Sequence, residues 1–314
     1  FVTLRNFIAA LERPLWGVLV IALAVPVNLV AGWALIFGRL GLPALGLYGA
    51  GLAGSITSLF MCLTMIAVVL LDRQFRRYHL FGRFWVADWQ RLREVWRIGL
   101  PIAVTVALEV TVFNAAAFLI GLIDRPSLAA HAVAIQIAAL SFMVPMGIGQ
   151  AATIRVGFAF GAGDRAGVGR AGWTALGLGV LYAVIGAILL LAFPQLFVGI
   201  FLDVGDPANR QVVGLAVDFL IVAAFFQLFD CTQAIAAGVL RGIQDTRVPM
   251  IIAAFGYWGI GLGVGALLAF RAGLNGVGVW IGLAAGLAVV SALLLRRWLG
   301  RERLVRQAVA FTPS

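Results

Sequence analysis

The sequence predicts an all-α polytopic membrane protein with eight transmembrane helices, and three observations carry that prediction. The first is composition: of 314 residues, 63% are hydrophobic and 11% charged, with mean hydropathy +1.05. Water-soluble domains carry about 25% charged residues, so this chain has too little polar surface to cover a globule. A disordered chain is excluded by the same excess of apolar residues. The second is run length. The apolar stretches reach ~20 residues or more, the length of a spanning helix rather than of an alternating barrel strand of ~10 residues. The third is the placement of arginine, which alternates from loop to loop.

The predicted spans are, in order, 14–37, 46–71, 98–123, 127–160, 168–193, 211–240, 248–270 and 274–296. Pro26, Pro101, Pro145 and Pro249 bend or start helices. Pro145, with Gly147 and Gly149 close behind it, marks a candidate hinge in the fourth span. The long connection at 72–97 holds Arg73, Arg76, Arg77, Arg83, Arg91, Arg93 and Arg97. Within it Asp88, Trp89, Leu92, Val95 and Trp96 alternate polar and apolar character at helical spacing, as an interfacial amphipathic helix does. The expected domains are therefore 1–71, two helices of a first lobe; 72–97, a cytoplasmic linker; 98–300, a six-helix second lobe; and 301–314, a cytoplasmic tail.

All 23 basic residues apart from the two histidines are arginine, and the formal net charge is +10. On a soluble protein such an excess points to nucleic acid. On a membrane chain it sets orientation. Counting arginines on alternate sides of the eight spans gives 19 on one side and 4 on the other. The long linker and both ends of the chain are thus expected in the cytoplasm, with no nucleic-acid partner. Cys62 and Cys231 lie within apolar runs and read as small buried hydrophobes.

An internal repeat joins the second span to the eighth. Gly41-Leu42 through Ala53-Gly54 aligns without gaps to Gly273-Leu274 through Ala285-Gly286, with five identities and Tyr48 opposite Trp280. Both copies place small residues at four-residue intervals, which suits close helix packing. They begin 232 residues apart and share one orientation, so the repeating unit is six helices and the repeat is parallel. Two equal units would then need about 137 residues and four helices ahead of Phe1.

Ionisable side chains within the hydrocarbon region are costly and mark function. Of the 13 acids, Glu109, Asp218 and Asp230 fall within spans. Glu109 lies ~16 Å from the start of its span and Asp230 ~15 Å from the end of its own, so both reach the middle of a ~30 Å core. Asp218 falls near the outer interface. Thr105 lies one turn from Glu109, and Gln227 and Gln233 one turn either side of Asp230, where they can supply neutral oxygen ligands. With no Lys or Arg at that depth, a bound proton or Na⁺ is the natural counter-charge, and the expected metal is Na⁺ at Glu109 and Asp230. His131, Asn114 and Gln136 read first as hydrogen-bonding glue between helices. His131 and Asn114 read second as further ligands, His131 also as a proton relay. Phe113, Phe118, Phe225, Phe226, Phe229, Tyr257 and Trp258 read as packing, with a subset able to line a cavity for flat cations. No phosphate loop, catalytic triad, HExxH or paired-Cys pattern occurs in the sequence, so no enzymatic activity is expected.

Several runs resemble the multidrug and toxic compound extrusion (MATE) transporters: Gly99-Leu100-Pro101, Leu128-Ala129-Ala130-His131, Phe142 to Ala151, Arg155-Val156-Gly157, Gly161 to Asp164, Ala236 to Gly242 with Asp245-Thr246, and Gly256-Tyr257-Trp258. Leu108 to Phe113 together with Asp230 look most like the NorM-like branch. The resemblance implies a twelve-helix, two-lobed fold of which this chain supplies helices five to twelve. It further implies that Glu109 and Asp230 bind Na⁺ or H⁺ in exchange for an exported amphipathic or cationic compound. A monomer of the bacterial inner membrane, needing no cofactor and contacting membrane lipid and organic cations, follows from the same likeness. The family also carries functional acids on the first helix of its N-terminal lobe, which has no counterpart here. Two rival readings stand beside this one: a flippase of lipid-linked precursors, and a non-transporting truncated remnant.

Overall fold

A computed structural model describes residues 1–11, 13–39, 41, 43–78 and 88–303. Leu42 of the repeat, Arg83 of the linker, and Arg306 with the rest of the tail from 304 onward lie outside the described residues. The described chain is helical, with no strand among its elements. Among the described residues, eight helices are long and apolar enough to cross a membrane. In a bilayer this follows from chemistry, because a helix satisfies its own backbone groups where no water can.

The chain divides into two compact units, Phe1–Trp89 and Gln90–Ser314. The first holds α1 (Val2–Ala10), α2 (Leu15–Phe37), α3 (Gly46–Leu71) and the single turn α4 (Arg73–Arg76). Gly38 closes α2 in the left-handed region, at φ 66°, where a side chain would be strained. The two long helices pack where Gly49 meets the Leu35 carbonyl, so closely that a Cβ on Gly49 would lie 2.5 Å from that oxygen. One polar tie crosses between them: Asn28 donates to Thr57, and Thr57 donates to the Ala53 carbonyl within α3.

The second unit holds α5 (Trp89–Gly121), α6 (Arg125–Gly161), α7 (Arg165–Ala192), the short α8 (Pro194–Val198) and α9 (Arg210–Gly242), followed by the final hairpin. The seventh spanning helix changes character along its length. It runs as α10 (Arg247–Ala254), a π-helical stretch over Phe255–Leu262, α11 (Gly263–Ala266) and a second π-helical stretch over Leu267–Arg271. α12 (Asn275–Leu299) completes the unit. Loop acids that sequence reading left outside the spans serve as caps. Asp124 accepts from the Ser127 amide at the start of α6, and Asp164 from the Gly167 amide at the start of α7.

α9 forms the axis of this unit and packs against α6, α7 and α12. Its approach to α6 is cut by glycine on both sides. A Cβ on Gly238 would lie 2.5 Å from the Gly149 carbonyl oxygen, and Thr153 donates across the gap to Gly238 at 2.8 Å. On α12, Gly278, Gly282 and Gly286 follow one another every four residues and face the preceding helix. A Cβ on Gly282 would lie 2.2 Å from Gly265, and one on Gly286 would lie 2.6 Å from the Gly256 carbonyl oxygen. Below the hairpin, Arg297 on α12 forms a two-pronged ion pair with Asp245 in the loop before α10.

Two sequence expectations are adjusted. α5 begins at Trp89 rather than at Ile98, so the amphipathic turns and the spanning segment form one helix. Both stretches share the 3.6-residue period, and helix propagation needs only Gly99 and Pro101 to be tolerated between them. The repeat copies also differ in burial. Tyr48 is 85% exposed and Trp280 is fully buried, because α12 packs within a six-helix unit and α3 against a single spanning partner among the described residues of its own. In α3 the packed face is Gly49, Ala53 and Thr57, rotated from the aligned positions.

Replacing Gly282 with Leu drives a branched side chain into the backbone of Gly265. Overpacking of this kind costs about 1–3 kcal/mol. The expected result is a lowered melting temperature in detergent and loss of a monodisperse elution peak, whereas Gly177→Leu, at an exposed position with open space beside it, leaves both unchanged.

Candidate cation site

α9 carries Gln227, Asp230 and Gln233, all buried, at intervals of one turn on the side turned into the unit. Asp230 is 7% exposed, and its Oδ1 has no hydrogen-bond partner. Gln233 donates through Nε2 to the Tyr257 hydroxyl, while its Oε1 has no partner. Two buried acceptor oxygens thus sit one turn apart without donors. Desolvating such atoms costs about 1–3 kcal/mol each, more for a charged group.

Glu109 stands on α5 and is partly buried. It lines a cavity of about 10 Å³ together with Val112, Phe113, Tyr257, Gly261, Leu283 and Leu287. Asp230 lines a different cavity of the same size with Ala138, Phe142, Pro145, Phe226, Gln227 and Cys231. Each is close to the volume of a single water, ~10–15 Å³ on this measure. The acids therefore do not share one cavity. They do act on one another through space, and both act on Tyr257. Tyr257 is the physical link between them, since it lines the cavity of Glu109 and accepts from Gln233 beside Asp230.

The π-helical stretch places this link. A π turn inserts an extra residue and re-aims the side chains that follow, and both Tyr257 and Gly261 of the Glu109 cavity belong to it. Its next residue, Trp258, donates to the Leu108 carbonyl on α5 at 3.4 Å, tying the stretch to the residue before Glu109. Sequence reading set Tyr257 and Trp258 among packing aromatics. The signal that distinguishes them is the dense glycine of this segment, Gly256, Gly259, Gly261, Gly263 and Gly265.

The remaining candidates fall in varied places. Gln227 accepts from Ser141, which also meets the Tyr182 hydroxyl at 3.2 Å, and its own Nε2 lacks a partner. Thr105 donates to the Pro101 carbonyl, where it supports the helix at the proline. Asn114 is exposed and donates to the Val110 carbonyl of its own helix. His131 is buried against Trp280 at 5.6 Å, edge to face, with Nδ1 unpartnered, and Trp280 in turn meets Phe219 and Phe226. Arg241, in the last turn of α9, carries the basic charge that bears on Glu109 through space. Among the described residues no three of His, Cys, Asp and Glu gather as a metal site. Cys231 donates to the Gly179 carbonyl, and both cysteines are free.

With this geometry in hand, the chain can be set beside known proteins. The MatE family model matches residues 101–267, just over half of the chain. The chain belongs to the MatE family. Its MatE relatives include the probable multidrug resistance protein NorM of Mesorhizobium japonicum, 56% identical over 304 residues, covering 97% of this chain and 65% of that protein. The NorM of Brucella suis is 54% identical, covering 95% and 63%. The chain thus spans about two thirds of the length of these MatE relatives. In fold it is similar to the eukaryotic MATE transporter AtDTX14, at a TM-score of 0.83 and 21% identity, over 96% of this chain and 66% of that one. The MATE transporter ClbM in complex with Rb⁺ gives 0.75 at 20% identity, over 94% and 64%.

Replacing Tyr257 with Phe removes the acceptor that Gln233 uses and leaves a buried amide unpaired. The expected cost is about 1–3 kcal/mol, read as a lowered melting temperature in detergent. Thr111→Val, which removes a hydroxyl bonded only within its own exposed helix turn, shifts the melting temperature by much less.

Proposed function

We propose that this chain forms the ion-coupled part of a secondary antiporter that exports amphipathic or cationic compounds in exchange for Na⁺ or H⁺. The observation that carries the reading is the pair of buried, donor-less acceptors, Asp230 Oδ1 and Gln233 Oε1, on the helix at the centre of the unit. A proton turns a carboxyl into a donor, and Na⁺ accepts oxygen lone pairs directly. Either occupant relieves the same deficit, and either leaves it behind on departure. Glu109 and Asp230 are assigned as the cation-binding acids, with Gln233 as an oxygen ligand and Tyr257 as the group that joins the Glu109 cavity to Gln233.

The coupling follows from exchange of one charge for another. A site whose acids are satisfied by an ion favours one packing of α5, α9 and the π-containing helix, and release of the ion favours another. Binding can shift such an equilibrium only by its difference in affinity for the two states. The names of the relatives, multidrug resistance proteins, support organic compounds as the exported class. The arginine distribution supports a cytoplasmic placement of the linker and both chain ends; a monomer of the inner membrane is the assembly proposed. Residues 1–71 would belong to one lobe and 98–300 to the other. Among the described residues no arginine lines the cavity of Glu109 or that of Asp230, where a flippase of lipid-linked precursors would call for several.

The test places Glu109→Gln and Asp230→Asn in a protein carrying the full family length, reconstituted in proteoliposomes. Efflux of a cationic dye is followed under an imposed Na⁺ gradient and, in Na⁺-free buffer, under a pH gradient. Each substitution is expected to lower ion-driven efflux by about tenfold or more, as intramembrane acids on ion pathways do, with dye binding retained. Undiminished efflux in both variants would overturn the assignment.

A further inference from the structure

At the end of the second unit where α7 begins and α12 ends, the structure opens a groove of about 810 Å³ that the cation site does not use. Arg165, Arg170 and Arg301 line it, with Trp173 on its wall. We propose that this groove binds the phosphate headgroup of an anionic phospholipid, with an acyl chain lying along the outer face of α7.

Arg301 is built into place. Its guanidinium lies over the rings of Trp298 and Trp173, at 5.4 and 6.0 Å from their centres. Gly169 makes room for it, since a Cβ there would stand 3.2 Å from Arg301 Nη2, and Gly172 makes room for the Trp298 ring. Held by two indole faces, the guanidinium keeps its N–H donors without a protein acceptor among the described residues. Arg165 likewise has none, and Arg170 pairs with Asp164 at 3.6 Å with both side chains largely in solvent. Glu302 also lines the groove. Three guanidiniums against Glu302, the one carboxylate of the lining, leave the groove net positive, as an anionic headgroup requires, and Asp164 beside it pairs with Arg170. Guanidinium forks suit phosphate oxygens in geometry as well as sign.

The surface beside the groove favours a lipid over a soluble phosphate. Trp173, Val180, Leu181, Val184 and Ile188 are exposed and follow one face of α7. Gly177 sits among them with nothing within 4 Å of where its Cβ would be, leaving a slot in that face. A headgroup held at the three arginines continues directly into this slot. Aromatic rings beside basic residues at helix ends are also the usual anchors at the headgroup level.

The experiment uses the chain purified in detergent and titrated, under native mass spectrometry, with dioleoyl-phosphatidylglycerol, dioleoyl-phosphatidylcholine and glycerol 3-phosphate. The expected result is retention of phosphatidylglycerol over phosphatidylcholine, with a fall of about fivefold for each guanidinium removed in Arg165→Gln, Arg170→Gln and Arg301→Gln. Gly177→Trp, which fills the slot without changing charge, also lowers it, while Arg210→Gln at the opposite end of the unit leaves it unchanged. Arg165 and Arg170 are exposed, so their double variant keeps the test valid if Arg301→Gln fails to fold. Equal retention of the two lipids, unaltered retention in the double variant, or glycerol 3-phosphate binding as tightly as the whole lipid would each overturn the proposal.

Discussion

Close approach at glycine is the constraint on which this structure rests. Lipid tails are as apolar as leucine, so helices in a bilayer gain little from burying leucine against leucine and depend on contact distance and on a few polar ties. α9 meets α6 at Gly149 and Gly238, and α12 meets the π-containing helix at Gly265 against Gly282 and Gly261 against Gly286. The helix bearing Asp230 and the stretch bearing Tyr257 are held by backbone-to-backbone contacts of this kind. These crossing points leave no room for a side chain.

The polar network is built to the opposite rule. Ser141, Tyr182 and Gln227 satisfy much of one another's hydrogen-bonding capacity, and Gln233 donates to Tyr257, yet acceptors at Asp230 and Gln233 stay unmatched. In a structural role such groups would be paired or replaced by apolar ones of the same shape, at less cost. Tightly packed glycine thus lies beside oxygen whose lone pairs are left unmatched.

Much of this was legible in the residues, and the limits have physical causes. Hydropathy placed the eight spans because each must be apolar over the width of a bilayer. The four-residue spacing of Gly278, Gly282 and Gly286 announced the close packing of α12. Depth arithmetic placed Glu109 and Asp230 at one level, but distance along a helix says nothing of the direction a side chain takes around it. That is why two acids at matched depth line separate cavities. Tyr257 escaped because a π-helical stretch breaks the 3.6-residue phase by which faces are assigned.

The continuity of α5 has a mechanical consequence. From Trp89 to Glu109 is 20 residues of one helix, about 30 Å at 1.5 Å per residue. The aromatic and arginine-rich turns at one end and the acid at the other are therefore two points on a single rod, hinged at most at Pro101. A tilt of about 10° of such a rod about its headgroup end displaces the acid by about 5 Å, which is more than the width of the cavity it lines. Trp89, Leu92 and Trp96 at one end and the carboxyl of Glu109 at the other thus move together wherever that helix tilts.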